Sequence, residues 1–455
     1  MILSLPAMGG MVISSLFALI DTFFVSRLGS SALAALTFCI PIEVLLTSTG
    51  AATGVGITSL LSRTLGKNNY AEADNIAWHG LIIAVIYGGF FSWLGLANLD
   101  QLLLWFGCSP EIFALCREYL FIILVGSVFT FIPMIAAHIV QGEGNTRLPM
   151  FCNLVAISLN VLLDPLLLFG PGIFPALGIR GAALATVLSQ MIGSALLVYL
   201  MFRNKTLLAW NRVHFIPRVR VLSGIYRVGL PTLVMELLAV FIMSYINRLL
   251  VGFDYSAVAA LGVFFRIRSI FYMPVFGLAQ GAMPIAGFAF GARQLDRVKE
   301  TIIKASVLSF GILMIAWLVM QYYAADMVKI FARDPALIRM GTDCLKLATL
   351  FLPVMGPIII LNHVLQSLGK GTAAMYLSLL RQLGIFLPLL ILLPHYLGIK
   401  GVWLAFSVTE LMSALVAVVF FINLWKQLQV RRRYTFIMLR GNGYFKKRFI
   451  SWLKW

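Results

Sequence analysis

Charge is scarce in this chain and uneven in sign. Only 11% of its 455 residues are Asp, Glu, Lys or Arg, and 17 acids stand against 35 bases. That leaves too little polar surface to cover a soluble protein of this length. No polar stretch exceeds a loop or a tail, so no water-soluble domain can be cut out of it. Enzyme signatures are missing as well: there is no HExxH, GxSxG, paired-acid DxxD or Walker motif, which argues against a protease, hydrolase or ATPase. Cysteine is sparse. Cys39, Cys108, Cys116, Cys152 and Cys344 form no CxxC and no pairing with histidine, and read as apolar filler rather than metal ligands or disulfides.

What is present is hydrophobic: 61% of the residues are apolar. Runs long enough for a span of ~20 residues recur from 2–25 to 402–424. The first has no basic flank and is too long for a signal-peptide core, so it reads as a span. The net charge of +18 does not mark a nucleic-acid binder, because the bases fall in alternate loops. Arg63, Lys67, Arg147, Arg203, Arg218, Arg293, Arg297 and Lys370 lie on one side, while 98–116 and 252–256 hold no Lys or Arg. This asymmetry predicts a multi-pass protein of the cell membrane with both termini cytoplasmic. The tail from 426 on adds many more bases among Tyr434, Phe436, Trp452 and Trp455, a composition that suits either contact with anionic lipid or a solvated, disordered segment.

An internal repeat organises the whole chain. At an offset of 225 residues, Leu5-Pro6 faces Leu230-Pro231, and Ser31–Leu36 faces Ser256–Leu261. Gly56 and Gly66 face Gly281 and Gly291, and His138 and Gln141 face His363 and Gln366. After a short deletion, Leu177–Gly181 faces Leu397–Gly401. Each half reads as six spans, so both halves share one orientation. The expected fold is an all-α integral membrane protein of twelve transmembrane helices in two six-helix lobes, related by a pseudo-two-fold axis along the membrane normal. The lobes are expected at 1–202 and 222–425, with a cytoplasmic linker at 203–221 and a basic tail at 426–455. Both lobes lie in one chain, and a monomer is expected.

Several short motifs sit on this doubled frame: Asp21-Thr-Phe-Phe-Val25, Gln141-Gly-Glu-Gly144, Asp164-Pro165, Gly181–Thr186, Arg266-Ile267, Met273-Pro274, Gln280-Gly281 and Gly291-Ala292. Together and in order they resemble those of the multidrug and toxic compound extrusion (MATE) transporters over essentially the whole length. The resemblance implies export of small organic, cationic compounds, driven by inward flux of protons or sodium ions, with no other cofactor and no nucleic-acid partner.

The polar residues inside spans need their own account, because a carboxylate at the bilayer centre costs about 2.5–3.5 kcal/mol on insertion scales. Asp21 lies in the first span and Asp164 in the fifth. Asn160 precedes Asp164 by four residues, which puts both on one helix face. Pro165 frees the carbonyl of Val161 beside it, and Thr186 offers a hydroxyl from the sixth span. This set suits a proton or a hard cation such as Na+ at Asp21, Asn160 and Asp164; that both acids are merely structural stays open at this point. The resemblance implies the same four positions as the coupling site. The second half has no such acidic pair, since Ile246 faces Asp21. It carries Glu236 and Glu410, the latter facing Gln190, together with Arg266 and Arg268. These acids and arginines are expected to neutralise one another, or else to line a substrate cavity with Glu43 and Gln190. The repeat-related His138 and His363 read as structural groups at span ends. A flippase for a lipid-linked precursor is the nearest rival, and it calls for more spans and a basic cavity; an intramembrane enzyme is the more distant one.

Overall fold

In a membrane every backbone N–H and C=O must be satisfied internally, so apolar runs of this length have to form helices. The computed structural model describes residues 4–170, 175–203, 206–253, 255–332 and 334–440; within these, the side chains of 15–19, 21–23 and 427–440, among a few others, fall outside the description. Residues 441–455 of the basic tail therefore lie outside the described residues, and of 427–440 only the backbone is described.

The first half runs through α1 (Ser4–Ser26), α2 (Ser30–Leu65), α3 (Tyr70–Ala97), the short α4 (Leu99–Trp105), α5 (Pro110–Val125), α6 (Ser127–Gly142), α7 (Arg147–Phe169) and α8 (Ile179–Phe202). The second half repeats the series as α9 (Val219–Val251), α10 (Tyr255–Gly291), α11 (Leu295–Tyr322), α12 (Ala324–Lys329), α13 (Pro335–Ala348) and α14 (Leu352–Ser367). It ends with α15 (Gly371–Leu379), a π-helical turn at Leu380–Phe386, α16 (Leu387–Leu397) and α17 (Ile399–Arg440). Among the described residues, nine helical segments are long and apolar enough to cross a membrane, and two bent pairs bring the number to eleven. At 23 residues, α1 measures about 34 Å and supplies the twelfth span.

Two features depart from six plain spans per half. The fourth and tenth spans are broken, α5 against α6 by 50° and α13 against α14 by 51°. The breaks fall at Gly126 and at Thr349–Phe351, the same place in the repeat. A Cβ at Gly126 would collide with Val187 of α8, so the bend rests on a glycine, a common cause of such kinks. In the second half Pro353 supplies the break, since it has no N–H to continue the ladder. The short α4 and α12 also correspond. Helix ends are set locally. Asp334 caps α13, accepting from the Ala336 N–H, with Pro335 at the first helical position. Gly178 (φ 55°) and Gly398 (φ 56°) are repeat partners that open α8 and α17 in a backbone conformation only glycine adopts freely.

Each half encloses its own apolar core, one built from residues between Val25 and Ile225 and the other from residues between Ile242 and Ala417. The halves meet where α1 packs on α10 and α2 packs on α9 and α10. The first two contacts exchange under the repeat, as a two-fold requires. The glycines show how close this approach is. A Cβ at Gly66 would collide with the Phe288 carbonyl, and one at its repeat partner Gly291 would collide with the carbonyl of Arg63, the repeat partner of Phe288. Gly56 abuts the Ile225 carbonyl and Gly281 abuts Ser4 in the same way. The tight contact lies at the end bearing the basic loops: the Gly50–Leu65 part of α2 is mostly buried, while much of Ser30–Leu45 is exposed. The lobes thus close at one end and part at the other.

The linker is held more firmly than its composition suggests. Asp74 accepts from the Ala209 N–H (3.1 Å) and lies 2.8 Å from His214 Nδ1. Asn75 accepts from the Ile216 N–H and His79 Nε2 from the Arg218 N–H, both at 3.2 Å. The second contact places the His79 proton on Nδ1, which donates to the Asn75 carbonyl. Glu143, just past α6, accepts from the Leu207 N–H at 2.6 Å, and Trp210 packs on Trp78 and Phe202.

Candidate functional site

In the first lobe, α7 lies against α8 and α1. Asp164 is wholly buried and Asn160 is 1% exposed. With the Asn160 amide turned to satisfy its neighbours, Nδ2 donates to Asp164 Oδ2 at 3.1 Å and the amide oxygen accepts from the Thr186 N–H at 3.1 Å. Three of the four expected residues are therefore joined, Thr186 through its backbone N–H and with its hydroxyl 3.4 Å from the same Asn160 amide atom. Asp21 belongs to α1, and its side chain lies outside the described residues. Among the described residues no group of three or more His, Cys, Asp or Glu could hold a metal. One buried carboxylate braced by an amide has the donor set for a proton or a monovalent hard cation.

A cavity of about 320 Å³ opens beside this site between α1, α6, α7 and α8. Ala156, one turn before Asn160, lines it, as do Asn153, Met150 and Gln190. Thr130 Oγ1 donates to Gln190 Oε1 at 2.9 Å. The charged site thus continues the same face of α7 beyond the cavity wall. Gln190 lines this cavity. Glu43 is half-buried on α2 and lines neither this cavity nor the one in the second lobe.

The second lobe holds a cavity of about 360 Å³ between α9, α10, the π-turn and α17. Glu410 lines it. Arg266 does not: it is exposed, and Arg268, two residues on and about 200° around the helix, faces the cavity instead. Glu236 is exposed on α9, three residues before the cavity-lining Ala239. The expected mutual neutralisation is not made by direct contact. Among the described residues, none of Arg266, Arg268, Glu236 and Glu410 takes part in an ion pair. Arg268 packs over Tyr272, 4.3 Å from the ring centroid, and Tyr272 donates to Glu410 Oε1 at 3.3 Å. Arg381, on the π-turn, also faces this cavity. The sequence reading missed it, and a basic residue in mid-span was the signal available. The histidines behave as structural groups: His138 fills the notch over Gly54 and receives the Thr58 hydroxyl on its carbonyl, while His363 Nδ1 bonds the Ile359 carbonyl.

The repeat agrees with comparisons to known proteins. The family model MatE matches residues 6–166 and again 231–392, two segments that begin 225 residues apart. The FAD transporter of Shewanella oneidensis is 29% identical over 419 residues, 91% of each chain. The multidrug export protein MepA of Staphylococcus aureus is 26% identical over 416 residues, again 91% of each. Among solved structures, MATE in complex with MaL6 superposes with a TM-score of 0.89 at 26% identity, covering 94% of this chain and 96% of that one. An outward-facing multidrug resistance MATE transporter of the MOP superfamily gives 0.89 at 26% identity, with coverage of 94% and 95%. On the match to both halves and the full-length relatives, this chain belongs to the MATE family of membrane transporters.

Proposed function

We propose that the protein is a secondary antiporter that exports small organic compounds in exchange for protons or sodium ions, with the coupling cation acting in the first lobe. The observation that carries this reading is Asp164, a carboxylate without solvent exposure, held by Asn160 against α8 within a membrane-spanning helix. A group that costly to bury is retained for a purpose. Its two states, charged and neutralised by a cation, give the lobe two electrostatic conditions, and a transporter needs such a pair to bias one conformation over another. Asp21 is its proposed partner, because its repeat counterpart Ile246 lines the second-lobe cavity.

The relatives' names, one for FAD and one for multidrug export, support export of organic molecules without fixing a class. The positive-inside rule puts the end with the basic loops in the cytoplasm. Since the lobes are closed at that end, this conformation opens outward. In proteoliposomes carrying ethidium or 2-naphthoate, pH and sodium gradients imposed one at a time should reveal the coupling. Transport against the reporter's own gradient, driven by one ion and abolished by the matching ionophore, is the expected result. Transport that is indifferent to both gradients would overturn the antiport reading.

A further inference from the structure

The second-lobe cavity has more positive than negative charge in its wall. Arg268 stands about 20 Å along α10 from its start, well inside the hydrocarbon region, and Arg381 faces it from the π-turn. Among the described residues neither guanidinium makes an ion pair, and the one polar contact of Arg381 is with the Met355 sulfur at 3.8 Å. Glu410 is the one acid in the wall. It turns Oε1 toward Tyr272, and its Oε2 is buried with no hydrogen-bond partner. Two guanidiniums and one carboxylate leave an uncompensated positive charge at membrane depth, which is expensive unless a mobile anion completes the set.

The geometry points to a binding site for an aromatic organic anion, its carboxylate or phosphate group held by Arg268 and Arg381. Packing on the face of Tyr272 orients the Arg268 guanidinium while leaving its edge N–H donors for an oxyanion, the bidentate geometry in which arginine excels. Phe265, Phe386 and Phe406 line the same cavity, with the last two 4.9 Å apart between ring centroids. They offer flat apolar surface for a ring. The π-turn adds one residue to the helical turn and thereby brings Arg381 round to this wall, a common use of such turns at functional sites. The repeat underlines the contrast: Arg268 stands where the first lobe has Glu43, and Glu410 where it has Gln190. The cation site and the anion site thus belong to different lobes.

This inference rests on the transport reading for its role in export, but binding itself requires no gradient. The test is therefore equilibrium binding to the purified full chain in nanodiscs. The probes are 2-naphthoate and 2-naphthyl phosphate, with 2-naphthol as the neutral control and 2-naphthylmethylammonium as the cationic one. The anions should bind at least roughly tenfold more tightly than either control, and the carboxylate and phosphate arms show which headgroup is preferred. Arg268→Gln and Arg381→Gln should each weaken anion binding by roughly ten- to hundredfold, the worth of a charge-assisted hydrogen bond. Glu410→Gln removes the competing negative charge and should strengthen it, and this variant serves if either arginine variant fails to fold. Tighter binding of the cation than of the anions overturns the proposal, as does weaker anion binding by Glu410→Gln. A failed antiport experiment alongside anion binding that is lost in the arginine variants would count against coupling and not against this site.

Discussion

At the scale of single residues, polarity out of place is what the sequence shows most readily. Asn160 and Asp164 stand out because amides and carboxylates are rare in mid-span and their four-residue spacing shares a helix face. The structure joins them as that spacing requires. Arg381 was harder to find. It has no polar repeat partner, and the π-turn that carries it changes the helical register, so a pattern of 3.6 residues does not place it on the cavity wall. Arg266 was misplaced for the ordinary reason that two residues on a helix point nearly opposite ways. Glu143 is another residue whose role comes from tertiary packing. Burial pushes its carboxyl up to about 7, while the Leu207 N–H, which favours the charged form, pulls the other way without cancelling the effect. A folded-state value above the ordinary 4.5 means that the folded protein holds the proton more tightly. Stability should therefore decline as pH rises from about 4.5 to 7, and level off beyond that. Thermal unfolding across this range should show the decline in the wild type and a flatter profile in Glu143→Gln; an unchanged slope would assign the dependence to other groups.

Among helices, the spans were legible and their interruptions were not. An apolar run reads the same whether it is straight or bent by 50°, because the bend is decided by what packs against it. Gly126 yields to Val187 of a neighbouring helix, and no property of its own span announces that. The lobe contact has the same character. Gly56 and Gly66 were visible as repeat partners of Gly281 and Gly291, but not as the places where one lobe's backbone meets the other's. Since a Cβ at Gly66 or Gly291 would run into backbone carbonyl rather than a yielding side chain, Gly66→Ala and Gly291→Ala should separate the lobes at that end. Spin labels at 67 and 292 would report it: distances by pulsed electron resonance should be short in the wild type and shift longer in either variant. An unchanged distribution would show that this contact does not hold the closed end.

Over the whole molecule, duplication has been followed by divergence of charge. The two halves keep their helix order, their bends and their interface glycines, yet the first buries a carboxylate braced by an amide while the second lines its cavity with two arginines and a glutamate. A duplicated frame with unlike sites permits one lobe to sense the driving ion and the other to hold cargo, with the shared interface passing the state of one to the other. The most direct measurement is gradient-driven transport of 2-naphthoate and ethidium by Asp164→Asn and Glu410→Gln, reconstituted at equal levels and tested with pH and sodium gradients. The account predicts that Asp164→Asn falls to the background of empty liposomes under both gradients, while Glu410→Gln still pumps with an altered apparent affinity. Normal pumping by Asp164→Asn beside a dead Glu410→Gln would place coupling in the second lobe and contradict it.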